Sequence, residues 1–202
     1  MGDLAPIDRV LVEMTASLAG PDWDRFDTAA NRARELASGR TPLEETLLQA
    51  TLFFGFPRVV SAFERLSKVW PADASRDEAR VPEAERPERG RALFDTIYGD
   101  NAEDVHAMLA SFHPEFHDFV LESAYGRILA RSPLTPLQRE LCAIGALASL
   151  DQIPQLVAHA RGAMRFGASE GEVRDSLRVV LSSDEAAALL DRILRRNRDQ
   201  TS

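Results

Sequence analysis

Four things are scarce in this sequence, and each scarcity excludes a class of protein. There is a single cysteine, Cys142, so no disulfide can form within the chain and no cysteine pair can carry thiol redox chemistry. Basic side chains are in deficit: 24 Lys and Arg against 32 Asp and Glu leave a net charge of -8. Such a surface has little with which to displace counterions from phosphates, so no nucleic-acid partner is expected. No apolar run reaches the roughly eighteen residues of a membrane span, and the opening MGDLAPIDRV lacks the basic and apolar regions of a leader. A cytoplasmic protein with no membrane partner is the expectation. Strand-like alternation is nearly absent. With no strand there is no glycine-rich phosphate loop, and no serine elbow or cysteine-histidine pair appears, so no nucleotide, flavin or nicotinamide cofactor is expected.

What the chain does have is apolar residues at helical spacing almost throughout, with Gly and Pro where helices should stop. The fold class expected is all-α. Thr135, Pro136 and Gln138 read as a capping box with proline at the first helical position. The helix they open carries an apolar stripe of Leu137, Leu141, Ile144, Leu147 and Ala148. Glu140 lies three residues after Leu137 and four before Ile144, so it projects from that stripe and must be paired, hydrogen-bonded or protonated. A second helix, from about Ile153 to Phe166, buries Leu156, Val157, Ala160 and Met164. Gln152, Gln155 and His159 recur on its flank. Gly167 ends it, and Ser169 with Glu172 forms a second capping box.

The segments RELCAIGALASL and QLVAHARGAMRFGASEGEVRD resemble the core of the carboxymuconolactone decarboxylase family, within the alkylhydroperoxidase D-like proteins. In the peroxidase branch of that group the motif is Glu, eleven residues, Cys, two residues, Cys, three residues, His. The matching positions here are Glu140, Gln152, Gln155 and His159. Both redox cysteines are glutamine, so thiol peroxidase activity is not expected. The resemblance implies an alkylhydroperoxidase D-like helical bundle, homo-oligomeric assembly, and a cofactor-free lyase or isomerase acting on a small carboxylated lactone or related acid. His159 would be the general acid/base, Glu140 its orienting carboxylate, and Gln155 with Gln152 would bind substrate. Tyr125 and Arg139 are further candidates for holding an acidic substrate. A second reading stays open: a catalytically silent member, in which the Glu140–His159 pair merely joins two helices and the protein serves as a scaffold or small-molecule binder.

The remaining histidines carry less. His113 and His117 have the four-residue spacing of a helical metal pair, but His113 precedes Pro114 as a cap and no third ligand is evident, so no metal site is expected. His106, after Glu103 and Asp104, should face solvent. Cys142 reads as a small residue packed between helices.

Sliding the first half by 128 positions sets Gly39 on Gly167, Thr41 on Ser169 and Glu44 on Glu172, and it sets Val12 on Glu140 and Asn31 on His159. Two unequal repeats are the expectation: a degenerate unit over 1–70 and a chemically competent unit over 92–202. The intervening Pro71 to Arg91, rich in charge and proline, reads as a solvated linker.

Overall fold

The computed structural model describes residues 4–20, 22–72 and 80–198, with side chains to residue 195. Among these residues there are helices and no strands. In chain order they are α1 (Pro6–Ala16), α2 (Trp23–Glu35), α3 (Thr41–Val69), α4 (Arg86–Tyr98), α5 (Ala102–Phe112), α6 (Pro114–Phe119), α7 (Pro136–Ser149), α8 (Ile153–Arg165), α9 (Glu170–Leu177) and α10 (Ser183–Arg198).

The local rules written in the sequence set these boundaries. The Asp22 side chain accepts the Arg25 N–H at 3.0 Å to open α2. Both capping boxes form, Thr135 with Gln138 at α7 and Ser169 with Glu172 at α9. Gly55, at φ 73° and ψ 171°, breaks α3 into two helices, and Pro57 opens the second of them. Past α6 the helix widens over Val120–Leu129, where Ala130 N–H bonds to the Tyr125 carbonyl five residues back at 2.8 Å.

Three apolar clusters hold these helices together. The first joins α7 to α10 and also takes in Leu4 and Val12 from the opposite end of the chain. The second joins α1 to α3 and takes in Leu134 and Cys142. The third is built from Phe94, Ile97, Leu121, Tyr125 and Leu129. The crossing of α1 on α7 is close enough that a Cβ at Gly145 would lie 2.7 Å from Val12 Cγ1. In the third cluster a Cβ on Gly90 would meet the Leu121 carbonyl oxygen, and one on Gly126 the Arg86 carbonyl oxygen, so two glycines let α4 lie directly against the widened segment.

The stretch read as a solvated linker is partly structured. Residues 73–79 fall outside the described residues, but Val81 is buried, Glu83–Glu85 form a short turn of helix, and α4 begins at Arg86. The charges that suggested solvent lie on the outer face of that helix, while Gly90, the residue that lets it pack, has no side chain to signal burial. The 128-residue offset that suggested two units can be set beside the helix bounds. Shifted by that amount, α1 would span 134–144 beside the observed Pro136–Ser149, and α2 would span 151–163 beside Ile153–Arg165.

A buried glutamate-histidine pair at a cavity wall

Glu140 and His159 come from facing sides of the contact between α7 and α8. Their positions on the two stripes aim both side chains into that contact, where they are almost wholly buried. His159 Nδ1 is 3.0 Å from Glu140 Oε2. An ionised carboxylate only accepts, so Nδ1 carries the proton and Nε2 is the ring atom left for exchange with a bound molecule. Gly162 makes the arrangement possible. A Cβ there would stand 2.5 Å from Glu140 Oε2 and 3.0 Å from Ile97 Cγ2. The carboxylate occupies the space a side chain would need.

His159 lines a cavity of 1210 Å³ enclosed by α4, α5, α8 and the middle of α3. Most of the wall is apolar, with Phe94, Val105, Leu109 and Leu147 among the residues forming it. The polar groups facing it beside His159 are Tyr98, Asn101, Gln155, Arg161 and Arg165. Glu140 does not line the cavity. It sits behind the imidazole at 1% exposure.

The other expected site residues divide. Gln155 reaches the cavity, whereas Gln152 stands exposed at the start of α8 with its amide donating to the Leu150 carbonyl at 3.2 Å. Tyr125 lies behind the wall; its hydroxyl donates to the Tyr98 hydroxyl at 3.4 Å, and Tyr98 is the phenol that faces the cavity. Burial raises both phenols above their ordinary range, well above it for Tyr125, and the nearby Glu140 charge adds to this. Tyr98 therefore stays protonated at neutral pH and is a hydrogen-bond donor. Arg139 points away from the cavity. Its guanidinium reaches Glu45 Oε2 at 2.8 Å and the Arg131 carbonyl at 3.0 Å, making it part of a buried Arg131–Glu45–Arg139 cluster between α7 and α3.

Sequence reasoning missed Tyr98, Arg161 and Arg165. Arg165 donates to the Ile97 carbonyl at 2.6 Å, and its guanidinium lies over Gly99, where a Cβ would stand 2.8 Å from Nε. That glycine, at φ 57°, was the available signal. Arg161 donates to the Ile193 carbonyl at 3.2 Å.

His106 is buried, not solvent-facing. Its Nε2 is 2.9 Å from Asp95 Oδ1, its Nδ1 is 3.0 Å from His117 Nε2, and His117 Nδ1 is 3.0 Å from Asp118 Oδ1. The acidic residues before it suggest a wet face, but the turn at Gly99–Asn101 folds α5 back so that His106 stacks on Phe94 with centroids 4.4 Å apart. His113 caps α6, accepting the Glu115 N–H at 3.2 Å.

The stretch holding α6 to α10, with Glu140, Gln155 and His159 inside it, matches the carboxymuconolactone decarboxylase family over residues 114–193. Residues 114–193 are thus similar to that family. The family segment lacks the redox cysteine pair, and Cys142, its one thiol, is pushed up to about 12 by burial, with Thr15 and Thr46 hydrogen bonds opposing the shift. Similarity to another protein extends beyond the family segment into the first half of the chain. Peroxisomal protein 2 of Schizosaccharomyces pombe is 28% identical over 185 residues, which cover 89% of this chain and 87% of the relative.

Proposed function

We propose that the protein is a cofactor-free lyase or isomerase of a small carboxylated lactone or related acid, with His159 as its general acid/base. The observation that carries this reading is the 3.0 Å contact between His159 Nδ1 and Glu140 Oε2 at the wall of a cavity of 1210 Å³. Glu140 fixes the tautomer and stabilises the imidazolium, so Nε2–H is the proton delivered to substrate. Arg161 and Arg165 draw the substrate's carboxylate into the cavity. As the bond to that carboxylate breaks, CO₂ leaves and the electron pair passes into the conjugated carbonyl. The Tyr98 hydroxyl and the Gln155 amide donate to the resulting oxyanion. His159 then protonates the carbon and regains its proton from water.

The test is CO₂ release from a panel of carboxylated lactones. Turnover lost in His159→Ala, with the variant still folded, supports the reading; turnover unchanged in that variant sinks it. A second reading, a catalytically silent binder, is favoured by the sealing of Glu140 away from the cavity. Ligands that bind the cavity with no member of the panel turned over would select it.

The repeated helix frame supports an internal duplication whose first unit, with Val12 and Asn31 at the equivalent positions, has no acid/base pair. Homo-oligomeric assembly is proposed on the same family likeness, with exposed Phe56, Phe112 and Phe119 available to a partner subunit. A cytoplasmic location remains the proposal from the sequence, and the name of the relative makes the peroxisome the alternative to test by imaging.

A further inference from the structure

On the other side of the wall formed by Leu52, Phe116 and Val120 lies a second cavity, of 640 Å³. Its body is apolar, walled by Leu48 and Phe56 of α3, by Phe119, and by Ile128 of the widened segment. Four arginines line it: Arg80, Arg86, Arg127 and Arg131. Among the described residues no Asp or Glu does, in a chain whose acidic residues outnumber its basic ones by 32 to 24. The guanidiniums are held in part by the protein itself. Arg131 is fixed by both oxygens of Glu45, and Arg86 Nε donates to the Val81 carbonyl at 3.3 Å. Arg127 makes no ion pair among the described residues.

The backbone is unusual at the same place. Val120, Ser123, Ala124, Arg127 and Ile128 of the lining all lie on the segment whose helix has widened, a rare geometry that recurs at functional sites.

We infer that this second cavity binds an amphipathic anion, an alkyl chain bearing one anionic head group, with the chain against the apolar body and the head on the arginines. The volume lies within the range of small-molecule sites, and an apolar lining with a few convergent charged groups is their usual chemistry. A neutral hydrocarbon would offer no anionic partner to Arg86 and Arg127, and a small inorganic anion would leave the apolar body unfilled. The inference is independent of the His159 reading, since the two cavities share only the apolar wall of Leu52, Phe116 and Val120 and none of the polar groups around His159 takes part.

The experiment is calorimetric titration of the full-length protein with dodecanoate, dodecyl phosphate and dodecanol, each below its micelle threshold. The anions should bind and dodecanol should bind at least tenfold more weakly; whichever anion is tighter names the head group. Shortening the carboxylate should weaken binding by up to about fourfold per methylene removed. Ser123→Trp, which fills this cavity alone, should abolish binding, while Ala158→Trp, which fills the His159 cavity alone, should leave it unchanged. Should Ser123→Trp fail to fold, Arg86→Gln with Arg127→Gln should weaken anion binding at least tenfold and spare dodecanol. The inference is overturned if neither anion binds, if dodecanol binds as tightly as dodecanoate, if only Ala158→Trp removes the signal, or if the arginine pair can be replaced without loss.

Discussion

His159 Nδ1 and Glu140 Oε2 meet at 3.0 Å across the contact between α7 and α8, with the imidazole at the cavity wall and the carboxylate sealed behind it. In the proposed reaction the first would exchange protons and the second would hold it in place. If His159 is the acid, His159→Ala should lower kcat by about 10²–10⁴, the usual worth of a positioned proton donor. Glu140→Gln keeps a hydrogen-bond partner but removes the charge. It should shift the alkaline limb of the pH–rate profile, where the imidazolium gives up its proton, to lower pH, because the imidazolium loses its counter-charge. A profile with an unmoved limb in Glu140→Gln would show that the carboxylate only packs.

Gly162→Ala should separate the pair without substituting either member. Its Cβ would intrude to 2.5 Å from Glu140 Oε2, in a core with no room to yield. A destabilisation of about 1–3 kcal/mol is expected from overpacking, with a loss of turnover approaching that of Glu140→Gln. Urea unfolding and a rate assay on the same variant check both parts.

The Arg131–Glu45–Arg139 cluster should make the protein acid-sensitive. Burial pushes the Glu45 carboxyl up, but the hydrogen bonds and charges of Arg131 and Arg139 outweigh it, and its folded pKa is lowered. Its contribution to stability is therefore complete above the unfolded carboxylate value of about 4.3 and is lost as pH falls through the lower folded value. Glu45→Gln should cost about 3–5 kcal/mol at pH 7, because it strands the buried Arg139 guanidinium. It should also flatten the acid limb of Tm against pH below about 4.3. A variant that retains the full acid limb would place the titrating group elsewhere.

Cys142 should be silent toward thiol reagents while the protein is folded. At 1% exposure, with its pKa raised to about 12, it supplies almost no accessible thiolate at pH 8. Labelling by a chromogenic disulfide should follow unfolding, and thiol-dependent peroxide turnover should be absent in wild type and Cys142→Ala alike.

The ends of α7 and α9, the inward aim of Glu140 and the fit of His159 to it were legible in the sequence, because capping chemistry and helical spacing are local and a family motif fixes which two helices meet. Arg139 shows where that reasoning stops. It is adjacent to Glu140 in the chain, but one residue is about 100° around a helix, and its partner Glu45 lies 94 positions away on α3. His106 failed for a similar reason: Asp95 and His117 each lie eleven residues away and reach it only because α5 folds back. Tyr98 and Arg165 belong to helices whose own stripes read as complete without them. Only the glycine beside Arg165 hinted that a large group passes there.

The way α1 and α7 exchange core residues has a consequence in time. Val12 belongs to the apolar cluster of the C-terminal helices, while Leu134 and Cys142 belong to that of the N-terminal ones. Neither cluster can close until both helices exist. At ribosomal speed, the interval between the synthesis of Val12 and that of Ile144 is roughly ten seconds. Through that interval the N-terminal helices hold an unfinished apolar face. The last third of the chain supplies Glu140 and His159 and also releases the first third from waiting.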